Sequence, residues 1–122
     1  MPKIFFPSSD PVFLNESEIV ASLKDLAERL AKENSRIQKI YLFGSLAWGN
    51  AGLHSDADIL IVLSHDSRPI KDRLDEFILS WLPAPVPVDV LAYTQEELQR
   101  ALAEENRFFQ RIVTEGKILF SV

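Results

Sequence analysis

Five consecutive apolar residues, Ile59 to Leu63, follow two aspartates, Asp56 and Asp58, and this segment constrains the fold more than any other. An unbroken apolar run of this length is typical of a strand that is covered on both faces. Such a strand needs other elements on each side of its sheet. The segment from Ala57 to Leu63 is therefore predicted to be a strand with both faces covered, in a domain whose helices pack on a sheet.

Helical and extended patterns alternate along the rest of the chain. An amphipathic helix is predicted from about Glu16 to Glu33, with Asn15 as its N-cap and Glu18 as the carboxylate that reaches back. The other predicted elements are a strand at Ile40–Phe43, one or two helical turns at Ser45–Trp48, a loop at residues 49–52, a helix at about Ile70–Trp81, a strand at Val88–Tyr93, a helical stretch from Thr94 to about Glu115 that breaks near Asn106, and a strand at Lys117–Phe120. The predicted fold class is α/β, with a small mixed sheet flanked by helices.

The length of 122 residues predicts a single domain over residues 15–122, preceded by an irregular arm over residues 1–14. The absence of cysteine excludes disulfides and thiolate metal sites. Eighteen acidic residues against 13 basic ones argue against a direct grip on a nucleic-acid backbone, which needs clustered cations. The apolar runs are too short for a membrane span or a signal peptide. We therefore expect a cytoplasmic domain with no membrane contact.

Aspartates occupy strand positions where this residue type is disfavoured. Asp56 and Asp58 point the same way because residues two apart on a strand share a face, about 6.5 Å apart. If the two strands are neighbours, Asp89 joins them at one edge of the sheet. Two carboxylates about 4 Å apart repel by roughly 4 kcal/mol at an effective dielectric of 20, so either the carboxylates take up protons or divalent cations lie between them. Alternatively, Asp56 and Asp58 cap a turn and Asp89 faces water.

Oxygen ligands without histidine or cysteine suit Mg²⁺ or Mn²⁺, and two ions sharing carboxylates suit phosphoryl transfer. Gly44 and Ser45 lie between a strand and a helical turn. A glycine there lets backbone N–H groups approach an anion, and a serine hydroxyl adds a donor. The sequence therefore predicts a site for a metal-bound phosphate compound.

The pattern of Gly44-Ser45, ten residues, Asp56-Ala57-Asp58 on a strand and a later Asp89 resembles the minimal nucleotidyltransferases of the DNA polymerase beta superfamily. The likeness spans roughly residues 19–120. It implies that superfamily's fold and the transfer of a nucleoside monophosphate from a nucleoside triphosphate such as ATP to a hydroxyl. It also implies that Asp56 and Asp58 bind two Mg²⁺ ions, that Asp89 holds the catalytic ion and orients or deprotonates the acceptor, and that Gly44 and Ser45 bind the β- and γ-phosphates.

The resemblance further implies a partner, because minimal nucleotidyltransferases are often paired, as antitoxins, with a small helical HEPN protein. We expect a homo- or hetero-oligomer. Phe108, Phe109 and Ile112, with Trp48 or Trp81, are candidates for such a contact, although their helical spacing is also typical of a core. Two alternatives remain open. One is a weakly active or inactive antitoxin that neutralises its partner by contact, and the other is a homodimeric enzyme that modifies a small molecule.

The turn departs from the family pattern, which has arginines where this chain has Leu46 and Trp48. Trp48 either stacks on a base or a partner, or fills an apolar gap. Arg68, Lys71 and Arg73 either replace the missing charge or form a solvated helix start. His54, two residues before Asp56, and His65 are expected in surface loops, with His54 alternatively reaching the site.

Overall fold

The computed structural model describes residues 15–48 and 56–122. The predicted arm over residues 1–14 and the predicted loop over residues 49–52 lie outside the described residues, as does His54. None of the helices in the described ranges combines the length and the hydrophobicity that a bilayer span requires.

Five helices and four strands alternate along the described chain. They are α1 (Glu16–Glu33), β1 (Ile37–Phe43), α2 (Ser45–Trp48), β2 (Ala57–Leu63), α3 (Ile70–Ile78), a 3₁₀ turn (Leu79–Trp81), β3 (Val88–Thr94), α4 (Gln95–Ala103), α5 (Arg107–Glu115) and β4 (Lys117–Ser121). The element order predicted from the sequence is confirmed. The predicted helix at residues 70–81 is α-helical only as far as Ile78 and tightens into the 3₁₀ turn, which brings Trp81 into the core.

The sheet is mixed, as predicted, with the strand order β3-β2-β1-β4. Strand β1 pairs antiparallel with both β2 and β4, whereas β2 and β3 run parallel. The parallel pair needs a crossover, and α3 with its 3₁₀ turn provides it. Strands β2 and β3 therefore begin at the same edge of the sheet, and β1 ends there.

Both faces of the sheet are covered, which explains the unbroken apolar run in β2. Alternate residues of the strands, such as Ile59 and Ile61, lie in a core with α1 and α3. The residues between them, such as Leu60 and Val62, lie in a second core with α4 and α5. Burial on both sides stabilises β2, since burying a large aliphatic side chain contributes about 1.5–3 kcal/mol.

Side-chain caps lie at the starts of α1, α4 and α5. Asn15 Oδ1 accepts a hydrogen bond from the Glu18 N–H at 2.9 Å. Thr94 and Glu97 form the reciprocal capping box of α4. The break between α4 and α5 contains Glu105 with a φ of 58°, after which Asn106 caps α5 through the Phe109 N–H at 3.3 Å.

An ion-pair network closes the sheet edge where β2 and β3 end. Asp66, whose side chain is 2% exposed, accepts hydrogen bonds from Arg36 and from Arg68. The hydrogen bond from the Arg68 side chain holds the pKa of Asp66 well below its usual range. Arg36 and Arg68 each also form an ion pair with Glu76. This network ties the loop after β2 to α3.

The expectation of a solvated helix start over Arg68, Lys71 and Arg73 is wrong for Arg73, which is 3% exposed. Its guanidinium donates to both carboxylate oxygens of Glu97 and to the Ala92 carbonyl. The bond from Arg73 lowers the pKa of Glu97. Arg73 therefore joins α3 to β3 and α4. This contact lies at the end of the sheet opposite to the one that carries Asp58 and Asp89.

Candidate active site

The predicted site residues lie together where β1 ends and where β2 and β3 begin. Gly44 directly follows β1, and Ser45 is the first residue of α2. Asp56 precedes β2 by one residue, and Asp58 is the second residue of that strand. Asp89 is the second residue of β3. Because β2 and β3 run parallel and β1 runs against β2, all five residues share one edge of the sheet.

The strand register places two of the carboxylates side by side. Asp58 is the register partner of Asp89 across the parallel β2–β3 pair, and the partner of Phe43 across the antiparallel β1–β2 pair. Register partners on neighbouring strands point to the same face, about 4.8 Å apart along the hydrogen-bonding direction. Asp89 is only 9% exposed, whereas Asp56 and Asp58 are half-buried. Asp89 therefore does not lie on the far side of the sheet.

Gly44 is required at its position for two independent reasons. Its φ of +80° lies in the left-handed region, which a residue with a Cβ atom occupies at a cost of roughly 1–2 kcal/mol. In addition, a Cβ atom at this position would overlap Asp58 Oδ2. The backbone turn after β1 and the Asp58 carboxylate are thus in direct contact.

The turn after Gly44 is short, and the side chains that follow Ser45 in it are apolar. The Gly44 carbonyl accepts hydrogen bonds from the N–H groups of Ala47 and Trp48, both at 3.0 Å, which closes the one turn of α2. The preceding N–H groups of Ser45 and Leu46 belong to the first positions of a helix, which have no partner within the helix. Leu46 is buried in the core.

The residues at this edge fit a hard divalent cation by their chemistry. Asp56, Asp58 and Asp89 supply carboxylate oxygens only, which Mg²⁺ and Mn²⁺ prefer. The Asp58 carboxylate lies against the turn at Gly44. As placed, however, no three His, Asp or Glu side chains among residues 15–48 and 56–122 come close enough together to hold a metal ion.

Sequence reasoning missed the contribution of α5 to this edge. The Arg111 guanidinium lies over the Trp48 ring, with its Cζ atom 3.5 Å from the ring centroid. The Phe108 ring meets the Phe43 ring edge to face, with the centroids 5.5 Å apart. Phe108 and Arg111 are three residues apart on one helix face. The sequence shows that spacing, but it does not predict which strand this face of α5 packs against.

The other candidate residues divide between core and surface. Phe109, Ile112 and Trp81 are buried in the cores, which excludes them from a contact surface, whereas Phe108 is 44% exposed. His65 is exposed and lies on the loop after β2, with Nδ1 2.9 Å from Ser64 Oγ. Arg68 and Arg73 belong to the network at the other edge. They are therefore not the cations that replace those missing beside Gly44.

The comparisons with known proteins show the family to which the chain belongs. The family model of the nucleotidyltransferase domain matches residues 23–118, which include Gly44, Ser45 and all three aspartates. The chain belongs to this family, and the resemblance predicted from the sequence is confirmed. It is thus a transferase with the nucleotidyltransferase fold.

Particular relatives refine the comparison. The chain is 29% identical over 100 residues to a Methanocaldococcus jannaschii protein named "Putative protein adenylyltransferase", covering 81% of this chain and 95% of the relative. A solved structure of a "putative nucleotidyltransferase" from Sulfolobus solfataricus has a TM-score of 0.64 at 20% identity, with 87% of this chain and 83% of that chain covered. A toxin–antitoxin structure with AMP-PNP has a TM-score of 0.52 at 24% identity, with 81% and 73% covered. The two structures show that the fold is shared.

Proposed function

We propose that residues 15–122 form a single domain that transfers a nucleoside monophosphate, AMP from ATP, to a hydroxyl group of a partner protein. The observation that carries this proposal is the placement of Asp58 beside Asp89 on one face, at the edge where Gly44 contacts Asp58. The relative from M. jannaschii, which carries the name "Putative protein adenylyltransferase", supports a nucleotide donor and a protein acceptor.

The reaction joins the acceptor oxygen to the α-phosphorus of the nucleotide. The bond between that phosphorus and the oxygen bridging to the β-phosphate breaks, and pyrophosphate leaves with the electron pair. Asp89, which is 9% exposed and lies beside Asp58 in the strand register, accepts or orients the acceptor proton. The Gly44–Ser45 turn binds the β- and γ-phosphates through N–H groups and the Ser45 hydroxyl. Positioning and charge neutralisation are the main tasks of a protein in phosphoryl transfer.

Asp56, Asp58 and Asp89 would hold two Mg²⁺ ions, which supply positive charge to the phosphates and lower the repulsion among the carboxylates. Mn²⁺ has the same preference for oxygen ligands and is a substitute. A ligand that binds only the folded state stabilises it by about 2.7 kcal/mol at one hundred times its dissociation constant. Adding Mg²⁺ should therefore raise the melting temperature of the wild-type protein. In Asp58→Asn the rise should largely disappear, whereas Asp75→Asn, on the exposed side of α3, should keep it. An equal rise in both variants would contradict the metal assignment.

The partner that we propose is a helical HEPN protein, with this chain acting as its antitoxin in the cytoplasm. The test incubates the chain with Mg²⁺, ATP labelled at the α-phosphate and the protein encoded beside it. We expect label on the partner with the wild-type chain and with Asp75→Asn, and none with Asp58→Asn. Absence of label with every chain would contradict the proposed transfer.

A second candidate function is neutralisation of the partner by contact with little turnover. The buried Leu46 favours it, because this residue brings no charge to the turn that would hold the phosphates. A tight complex that forms equally with Asp58→Asn, and without label, would support this candidate over catalysis.

A further inference from the structure

We propose that Arg111 of α5 binds the phosphate chain of the nucleoside triphosphate and so supplies the positive charge that the Gly44–Trp48 turn lacks. This assignment depends on the proposed function, since it names a further residue for the same site. Arg111 would be a positioning residue for the donor nucleotide and would take no part in breaking bonds.

A continuous series of contacts joins Arg111 to the Asp58 carboxylate. The guanidinium lies over the ring of Trp48, 3.5 Å from its centroid. The Trp48 N–H bonds to the Gly44 carbonyl at 3.0 Å, so both residues belong to the same helical turn. Gly44 in turn contacts the Asp58 carboxylate. Arg111 is thus brought to the turn that would hold the phosphates, although it lies 67 positions along the chain from Gly44.

The electrostatics of the site call for such a cation. The edge carries three aspartates, whereas the side chains of α2 after Ser45 are Leu46, Ala47 and Trp48, none of them charged. A nucleoside triphosphate carries about four negative charges near neutral pH, and phosphate groups are bound favourably where cations oppose that charge. A guanidinium suits this role because its planar fork of donors matches phosphate oxygens in pairs.

The side chain is held in a way that leaves it available to a ligand. Stacking on Trp48 uses the flat face of the guanidinium and restricts its motion. Its Nε–H donates to Glu115 Oε2 at 2.7 Å, and this is the one hydrogen bond that the Arg111 side chain makes with the described residues. The two Nη groups lie at the outer end of the guanidinium, and the Arg111 side chain is 53% exposed. Arg111 is therefore pre-oriented beside the turn with donors to spare.

Binding of α,β-methylene-ATP with Mg²⁺ tests the assignment, because this probe keeps the triphosphate charge but cannot transfer its nucleotide. We expect Arg111→Met to weaken its affinity roughly tenfold, a change of about 1.4 kcal/mol. The affinity for AMP should change less than twofold. Arg111→Lys, which keeps the charge but loses the planar fork, should fall between. Glu115→Gln should tighten the binding of the triphosphate, since Glu115 competes for the same guanidinium.

Arg100→Met is the matched control. Arg100 forms an exposed pair with Glu96 four residues away on α4, as Arg111 does with Glu115 on α5. This control should bind the probe like the wild-type protein. In the transfer assay Arg111→Met should raise the KM for ATP about tenfold with little change in kcat, and circular dichroism should show an unchanged fold and melting temperature.

Two results would overturn the assignment alone. Both presuppose that the wild-type protein binds the probe. One is that Arg111→Met binds the probe as tightly as the wild-type protein does. The other is that Arg111→Met loses affinity equally for AMP and for the triphosphate. A wild-type protein that binds no triphosphate in the presence of Mg²⁺ would overturn the proposed function and this assignment together. The two failures are therefore distinguishable.

Discussion

Replacing Asp66 by Asn should destabilise the protein because this buried carboxylate lies at the centre of the ion-pair network. Its Oδ1 atom accepts from the backbone N–H and the Nε–H of Arg68, both at 3.0 Å. Its Oδ2 atom accepts from Arg36 Nη1 at 3.0 Å and from Arg68 Nη2 at 2.6 Å. In the variant, an amide NH₂ group must replace one oxygen. If it replaces Oδ2, donors of the amide face donors of two guanidinium groups.

The magnitude follows from the number of bonds that are lost. Each hydrogen bond to a charged group contributes about 1.5–3 kcal/mol, and two are lost at Oδ2. Glu76 partly offsets the loss because it also accepts hydrogen bonds from Arg36 and Arg68. We therefore expect the free energy of unfolding at pH 7 to fall by about 3 kcal/mol. For a domain of this length that corresponds to a fall in melting temperature of roughly 10 °C.

The pH dependence identifies the carboxylate charge as the cause. The pKa of Asp66 is lowered from its ordinary value of 3.8 by the Arg68 side chain, so the unfolded state takes up a proton before the folded state does. Its contribution to stability is complete above the unfolded pKa and is lost as the pH falls through the folded value. At pH 3 the wild-type advantage over Asp66→Asn should be smaller by about 1 kcal/mol, since each pKa unit corresponds to 1.36 kcal/mol.

Urea unfolding followed by circular dichroism at pH 7, 5, 4 and 3 measures both effects. Asp75→Asn makes the same chemical change at an exposed position of α3, and it should alter the free energy of unfolding by less than about 0.5 kcal/mol. Asp66→Asn with wild-type stability at pH 7 would refute the importance of the network. A full loss at pH 7 that stays unchanged at pH 3 would refute its electrostatic origin.

Two further substitutions test the turn and a helix cap. Gly44→Ala should cost roughly 1–2 kcal/mol of stability from its positive φ, and it should reduce the transfer activity more severely because the new Cβ atom displaces Asp58; an active variant would show that the carboxylate does not need its present position. Thr94→Ala should lower the free energy of unfolding by about 1 kcal/mol by removing the N-cap of α4, while Thr94→Ser restores it. Equal stability of both Thr94 variants in urea unfolding would contradict the capping role.

Local physical chemistry explains why much of the fold could be predicted from the sequence. The apolar run of β2, the caps Asn15 and Thr94, and the break before Asn106 depend on residues within a few positions of one another. The same holds for Gly44 and Ser45 after β1, because a strand end followed by a glycine requires a turn. Asp56 and Asp58 likewise share a face through the period of two in an extended chain.

Tertiary structure decided what depends on the order and register of distant strands. Periodicity places Asp89 on a strand, but only the parallel pairing of β2 and β3 aligns it with Asp58. The charge of Arg73 favoured a solvated position, and the partners that bury it, Glu97 and the Ala92 carbonyl, lie on other elements. Arg111 reaches Trp48 only because α5 crosses the face of β1. Side-chain type and spacing act over one or two turns of chain, whereas charges and rings from remote segments meet only when the two cores pack the helices against the sheet.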